Sequence, residues 1–154
     1  MVTGWRIVKG PYAAAAFDGE GARRYGGRWN SPGAPVVYTA GSQALAALEM
    51  LVHLGTSAVL PAYVSIACAF DESIVLRLDR HRLPRSWQSY PSPPRLALLG
   101  DAWLKDGTSA VLDVPNAIIP TESNYLLNPR HADFAAITIR KAQAFDLDVR
   151  LLLR

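Results

Sequence analysis

Glu49 is the residue whose type and position most directly indicate chemistry. It lies in a segment with helical periodicity, Gln43–Leu54, in which Leu45, Leu48 and Val52 recur at helical spacing and predict the buried face. At about 100° per residue, Glu49 projects roughly 40° from Leu45, at the edge of that face. A carboxylate there loses part of its hydration, which is costly without a partner. Considered alone, it is also consistent with a boundary glutamate that reaches water or bonds an arginine.

Arg28 and Tyr38 precede this helix and have types suited to ligand binding. Gly26 and Gly27 allow a ligand or a second backbone to approach Arg28 closely. A guanidinium can grip phosphate oxygens with two parallel hydrogen bonds, although a turn arginine in a surface salt bridge is the alternative. Tyr38 lies in a predicted strand, residues 36–39, where its ring either packs in the core or stacks on a flat heteroaromatic ring at a pocket rim.

Several other chemistries are disfavoured by the sequence. The histidines His53, His81 and His131 lack paired ligand spacing, and one cysteine cannot build a zinc site, so we expect no bound metal. That cysteine, Cys68, lies on the apolar alternation of a predicted strand and is expected in the core rather than as a nucleophile. No Gly-x-Gly-x-x-Gly motif opens a helix, and no phosphate loop of the Gly-Lys-Ser/Thr type is present.

The composition predicts one folded cytoplasmic domain that spans residues 1–154. The chain is 50% hydrophobic and 19% charged, which excludes a disordered protein. Its net charge of +3 is scattered, so we expect no direct nucleic-acid binding. The single cysteine rules out an intramolecular disulfide and fits a reducing compartment. The sequence has no signal-peptide pattern and no apolar run long enough to span a membrane.

The order of predicted elements indicates an α+β fold with mixed or antiparallel sheets and a few helices. Besides the Glu49 helix, a helix is expected at residues 96–105, stopped at Gly107. Glycines and prolines predict irregular structure at 18–35 and 84–94. Short strands are expected at 5–8, 36–39, 64–70, 74–78, 110–114, 134–139 and 145–153.

Four motifs occur together in a specific order. Residues 24–40 read RYGGRWNSPGAPVVYTA, residues 47–49 read ALE, residues 114–120 read VPNAIIP, and residues 124–134 read NYLLNPRHADF. This combination strongly resembles the RES domain, and the resemblance covers nearly the whole chain.

The resemblance implies a toxin of a type II toxin–antitoxin pair, whose partner is an antitoxin with an Xre-like helix-turn-helix. It also implies a fold similar to that of ADP-ribosyltransferases. RES-domain proteins deplete cellular NAD by hydrolysis or phosphorolysis, and at least one kind modifies a protein with ADP-ribose. NAD is therefore the expected substrate, with inorganic phosphate as an optional co-substrate and no bound cofactor. Matched by motif, the catalytic residues are Arg28, Tyr38 and Glu49.

The expected substrate-binding set extends beyond these three residues. We expect Tyr38 to stack on the nicotinamide side and Arg28 to hold the pyrophosphate; the other candidates are Tyr25, Trp29, Asn116 and Ser123. Asn116 occupies the position where the family has a serine. Asparagine donates and accepts hydrogen bonds as serine does but is bulkier, so activity is retained, altered in substrate preference or weakened.

Three classes of function remain open from the sequence. They are an NAD-consuming toxin, an ADP-ribosyltransferase that modifies a cellular protein, and a catalytically weakened relative that only binds an antitoxin. A nuclease toxin is a weaker rival. We expect no membrane association, and a homodimer within the toxin–antitoxin complex is also among the expectations.

Overall fold

The computed structural model describes residues 1–54 and 60–153. Its three α-helices are α1 (Glu20–Tyr25), α2 (Gln43–Leu54) and α3 (Pro94–Asp106). The strands are β1 (Val2–Lys9), β2 (Val37–Ala40), β3 (Tyr63–Phe70), β4 (Val75–Arg77), β5 (Val111–Pro115), β6 (Ser123–Leu127), β7 (Thr138–Ile139) and β8 (Gln143–Phe145). Short 3-10 helices lie at Gly10–Ala15, Glu72–Ile74, Arg80–Arg82, Ala132–Ala136 and Val149–Leu152.

The strands form one mixed sheet in the order β4-β5-β6-β2-β1-β3-β7, and β8 also pairs with β3. All neighbours are antiparallel except β4 and β5, which run parallel. The α+β prediction is confirmed. Because β2 is hydrogen-bonded to β6, and β6 to β5, residues far apart in sequence meet beside α2.

Helices pack against different parts of this sheet. The N-terminal half of α2 buries Leu45 and Ala46 against Ala40, with Trp5 and Ile7 packed around them. A second apolar cluster forms where α3 meets the sheet and the loop before β2. This contact is very close, because a Cβ built on Gly100 of α3 would lie 1.6 Å from the carbonyl oxygen of Trp29. Any larger residue at position 100 must displace the loop.

Several predicted boundaries are confirmed. The Oγ of Ser42 accepts a hydrogen bond from the N–H of Leu45 at 3.0 Å, as expected of an N-cap. Gly107 ends α3 in the left-handed region at φ 62°, which is a common helix stop. The predicted stop at Gly55 lies outside the described residues.

Three predictions of local structure are wrong. Residues 18–35 are not all irregular, because Gly19, with a φ of 74°, is the N-cap of α1, and Glu20 pairs with Arg23 within that helix. The strand predicted at 145–153 ends at Phe145, since the Asp148 side chain accepts from the N–H of Arg150 and starts a 3-10 turn. The segment 134–139 is mostly a 3-10 helix, and only its last two residues form β7.

The buried face of α2 also differs from the predicted one. Val52 is 59% exposed, whereas Leu51 is buried. The C-terminal half of the helix turns Glu49, Val52 and His53 toward a cavity instead of the core. Within the described residues, no helix is long and apolar enough to cross a membrane.

Candidate functional site

A cavity of about 1140 Å³ opens beside the C-terminal half of α2. Arg28, Tyr38 and Glu49 all line it, so the structure brings the three predicted catalytic residues together. Its volume lies slightly above the usual range for small-molecule sites, which suits a ligand larger than a single nucleoside.

Glu49 presents a half-buried carboxylate to this cavity. Its Oε1 accepts a hydrogen bond from the Nδ2 of Asn124 at 2.8 Å and another from the Nδ2 of Asn116. Within residues 1–54 and 60–153, no hydrogen bond reaches Oε2. Burial raises the pKa of Glu49, and the two amide donors and nearby His53 act in the opposite direction.

The two asparagine amides are also bonded to each other and to backbone. The Nδ2 of Asn116 donates to the Oδ1 of Asn124 at 2.8 Å, and the Nδ2 of Asn124 donates to the Thr39 carbonyl at 3.1 Å. The Oδ1 of Asn116 accepts from the N–H groups of Ile118 and Ile119, each at 2.8 Å. We call Glu49, Asn116 and Asn124 the carboxylate cluster.

Arg28 lies in the glycine-rich loop (residues 26–35) and contacts the proline-rich segment (residues 84–94). Its Nη1 donates to the carbonyls of Trp87 and Ser89 at 2.9 and 3.1 Å. Among the described residues, Nε and Nη2 have no hydrogen-bond partner. One edge of the guanidinium is therefore available for a bidentate contact to an anion.

Tyr38 uses its hydroxyl to hold the glycine-rich loop. The hydroxyl donates to the Oδ1 of Asn30 at 2.6 Å and accepts from the N–H of Trp29 at 3.0 Å. A Cβ on Gly27 would lie 2.7 Å from this oxygen, which explains the glycine there. Burial raises the pKa of the phenol, so the group stays neutral near pH 7. Its hydroxyl is structural, and its ring is the part that can contact a ligand.

The other predicted binding residues occupy different positions. Tyr25 and Trp29 both line the cavity, but Tyr25 is 83% exposed at its mouth, whereas Trp29 is only 2% exposed and packs with Leu96 and Trp103. The Trp29 ring therefore anchors the loop. Ser123 is not among the residues that line the cavity, because it precedes Asn124 on β6 and successive side chains of a strand point to opposite faces.

Two cavity residues were missed from the sequence. Asn124 lies within a quoted motif, but its amide is recognisable as a Glu49 partner only once β6 is placed beside β2. Arg6 on β1 lines the cavity, where its Nη1 donates to the Tyr38 carbonyl at 3.1 Å and its buried Nε has no partner in the described residues. Burial lowers the pKa of Arg6. The only sequence signal for Arg6 was a charged residue inside an apolar strand.

Two alternative chemistries are not supported at this site. Cys68 is fully buried, and burial raises the pKa of its thiol to about 11, which leaves it protonated. Within the described ranges, no group of three or more metal-ligating side chains is suitably placed to hold an ion.

Comparison with known proteins agrees with the motifs. Residues 3–149 match the family described as the RES domain. A protein named "Toxin Res" from Yersinia enterocolitica is 38% identical over 148 residues, covering 96% of this chain and 97% of that protein. A "Prs ADP-ribosylating toxin" from Sphingobium sp. is 33% identical over 153 residues, covering 96% and 95%.

A solved structure shows the same fold at lower identity. The M. tuberculosis MbcT–MbcA toxin–antitoxin complex contains a chain that superposes with a TM-score of 0.73 and 19% identity, over 94% of this chain and 84% of that one. With the family matched over nearly its whole length, and with relatives well above 30% identity, this chain belongs to the RES domain family of toxins.

Proposed function

We propose that this RES-family toxin cleaves the nicotinamide–ribose bond of NAD and passes the ADP-ribose unit to water or inorganic phosphate. The observation that carries the proposal is the arrangement of one cavity: a half-buried carboxylate held by a single oxygen, with the guanidinium groups of Arg6 and Arg28 on the same walls. The single cysteine is consistent with action in the reducing cytoplasm, where NAD depletion would arrest growth.

The chemistry suits Glu49. When the ribose C1′–N bond breaks, the electron pair leaves with neutral nicotinamide and positive charge develops on the ribose. A carboxylate near that charge stabilises the transition state, and it is most effective where water is partly excluded. The Oε2 of Glu49 is the oxygen available for this task. Water or phosphate then bonds to C1′, and water loses a proton in doing so.

The two arginines suit the remainder of the substrate. Arg28 offers its Nε–Nη2 edge to a pyrophosphate, and Arg6 contributes a second, partly buried positive charge. The ring of Tyr38, held by its hydroxyl contacts, provides a flat surface for the nicotinamide. Tyr25 at the mouth is positioned for the outer part of the ligand.

Incubation of the purified protein with NAD tests the proposal. We expect NAD to be lost and nicotinamide to be released. Chromatography of the products formed with and without phosphate then identifies the acceptor. The Glu49→Gln variant should lose most of its turnover, whereas Glu72→Gln, at an exposed glutamate, is the matched control. Wild-type turnover by Glu49→Gln would refute the role of the carboxylate.

Transfer of ADP-ribose to a protein is the second candidate, favoured by the relative named as a "Prs ADP-ribosylating toxin". The two activities share the cleavage step and differ in the acceptor. NAD labelled in its ADP-ribose part distinguishes them, because soluble label indicates the first and label on a protein band the second. Growth arrest that requires Glu49 would exclude a weakened relative that only binds a partner, and intact RNA during arrest would exclude a nuclease.

We further propose an antitoxin partner of the Xre type. The structural neighbour comes from a toxin–antitoxin complex, which supports a partner of this kind. A small helix-turn-helix gene directly upstream, and co-purification of its product with this chain, are the expected observations. Light scattering on that complex would show whether it contains a toxin homodimer.

A further inference from the structure

We propose that Asn116 and Asn124 are positioning residues, which hold Glu49 through one carboxylate oxygen and leave the other oxygen for the substrate. The proposal rests on the proposed function, because it assigns the way in which the reacting carboxylate is aimed. It also assigns Asn116 a role different from the substrate contact expected from the sequence.

The hydrogen bonds define a fixed acceptor geometry. Both Nδ2 groups converge on Oε1 of Glu49, and one amide also donates to the other. Two donors on one oxygen fix both the position and the rotation of the carboxylate about its last torsion. The second oxygen is left without a hydrogen bond among the described residues, on a side chain that lines the cavity.

Neither asparagine has a hydrogen-bonding group left for a ligand within the described residues. The two Nδ2 protons of Asn124 go to Glu49 and the Thr39 carbonyl, and its Oδ1 accepts from Asn116. Asn116 donates both of its protons within the cluster, and its Oδ1 accepts from two backbone N–H groups. A substrate contact would require one of these bonds to break.

The sheet explains why this pair is rigid. Asn124 on β6 is the partner of Ala40 on β2 and of Val114 on β5, so it is fixed from both sides. Asn116 follows β5 directly, and its N–H donates to the Glu122 carbonyl at 2.9 Å. Both side chains are almost fully buried, at 2% and 9% exposure, whereas Glu49 reaches them from a different element.

The choice of an amide at position 116 follows from this geometry. A side chain there must donate to Glu49 and at the same time accept from the turn at 118–119. Serine, which the family resemblance places here, has one hydroxyl that can do both in part. Asparagine does both and adds the bond to Asn124, so the larger side chain extends the network.

The cluster also favours the ionised carboxylate against the effect of burial. Burial raises the pKa of Glu49, and the two amides lower it. The elements packed on α2 are β1 and β2, which bring Arg6, Lys9 and Tyr38 to the cavity, and α2 itself brings His53. Residues 18–28 contribute Asp18, Glu20, Arg24 and Arg28.

Kinetics as a function of pH provide the first test. Asn124→Ala removes one donor, and Asn124→Asp keeps the shape but replaces the donor with a second carboxylate. We expect kcat at pH 7 to fall about tenfold to a hundredfold in Asn124→Ala, with KM little changed. The acidic limb of the profile should move to higher pH, by about one unit, and further in Asn124→Asp.

Two further variants separate positioning from general damage. Asn116→Ser keeps a donor at the cluster and should retain more activity than Asn116→Ala. Asn128→Ala is the matched control, because Asn128 is equally buried at 5% and caps the N–H of Arg130 away from Glu49. Its acidic limb should coincide with that of the wild type.

A readout without turnover tests the same proposal independently. The chain has four glutamates, Glu20, Glu49, Glu72 and Glu122, so carbon-13 labelling of their carboxyl groups gives few signals. The Glu49→Gln variant assigns the Glu49 signal. Its titration midpoint should rise in both Asn124 variants and remain unchanged in Asn128→Ala.

The kinetic measurements and the carbon-13 titration together distinguish a failure of the proposed function from a failure of the positioning role. If the wild type does not consume NAD, the proposed function fails, and the titration still decides whether the asparagines hold the carboxylate. An unshifted Glu49 titration and pH profile in folded Asn124→Ala would overturn the positioning role. An equal shift of the acidic limb in Asn128→Ala would also overturn it, because Asn128 makes no hydrogen bond to Glu49.

Discussion

The carboxylate cluster and the glycine-rich loop line the same cavity, but different kinds of contact hold them in place. The cluster is held by neighbouring strands and a helix, and its amides are bonded on every side within the described residues. The loop is held by a few side-chain contacts, from the Tyr38 hydroxyl, the Asp101 carboxylate and the Trp29 ring. Among the described residues, Arg28 is in turn hydrogen-bonded only to carbonyls of the irregular proline-rich segment.

The difference in construction matches two different tasks, which are stabilisation of the developing charge and binding of the pyrophosphate. Stabilising a developing charge needs a group placed within a fraction of an ångström, which strands and helices provide. Gripping a pyrophosphate tolerates movement, since a guanidinium can follow the anion, and loops are the usual location for such groups. Variants should therefore affect turnover on the cluster side and affinity on the loop side.

The largest expected effect is on the cluster side, in Glu49→Gln. Turnover should fall by about a hundredfold to a thousandfold, because the charge opposite the ribose is lost. The thermal stability of this variant should instead exceed that of the wild type once the pH is high enough to ionise Glu49 in the wild type. Since folding raises the pKa of Glu49, its contribution to stability is present below the ordinary value of 4.5 and is lost as pH rises through the folded value.

The Gln variant should thus match the wild type in Tm at low pH and exceed it by a few degrees at pH 8. Calorimetry at both pH values measures this. A wild type that is the more stable protein at pH 8 would contradict the assignment of a destabilised carboxylate.

Arg28→Lys should have the next largest effect, on the loop side. Lysine keeps the positive charge but lacks the planar guanidinium, which can bind an anion while it donates to the carbonyls of Trp87 and Ser89. We expect kcat/KM to fall about tenfold or more, mainly through KM. Limited proteolysis should show faster cleavage within 84–94, whereas Arg85→Lys, an exposed arginine in the same segment, serves as the control.

Tyr38→Phe should affect stability more than chemistry. The hydroxyl makes two hydrogen bonds to the loop, at 2.6 and 3.0 Å, and leaving both partners unpaired costs about 1–3 kcal/mol. The ring remains, so kcat should change little. Denaturant unfolding measures the first effect, and a large loss of kcat with unchanged stability would assign the hydroxyl a chemical role.

The smallest effect is expected for Tyr25→Ala at the cavity mouth. The side chain is 83% exposed, so the free energy of unfolding should change by no more than about 0.5 kcal/mol. A few-fold rise in KM with constant kcat is the expected sign of stacking on the ligand. Leu98→Ala, at a 65% exposed side chain of α3 that is not among the residues lining the cavity, offers a comparison.

The sequence predicted what local patterns determine. The α2 helix follows from a Ser42 cap and apolar spacing, and Gly107 ends α3 as expected. The sequence motifs also selected Arg28, Tyr38 and Glu49 as neighbours, and they do line one cavity. The residue spacing within α2 alone indicated only Glu49, because position on a helix is a local property.

What escaped prediction depends on contacts between distant residues. Asn124 and Glu49 are 75 positions apart, and only the β2–β6 pairing brings them together. Arg6 required knowing which face of β1 meets the cavity. The exposure of Val52 has the same origin, because the spacing of apolar residues defines a helix face without saying where the core ends along it.

The contact between Arg28 and the proline-rich segment has a thermodynamic consequence. Because Nη1 of Arg28 donates to the carbonyls of Trp87 and Ser89, the ordering of that segment and the orientation of the guanidinium are linked equilibria. Linkage is reciprocal, so an anion that selects this orientation stabilises the segment by the same free energy that the ordered segment adds to anion binding. A protein that binds residues 84–94 would therefore alter the affinity of the cavity for its ligand without entering it.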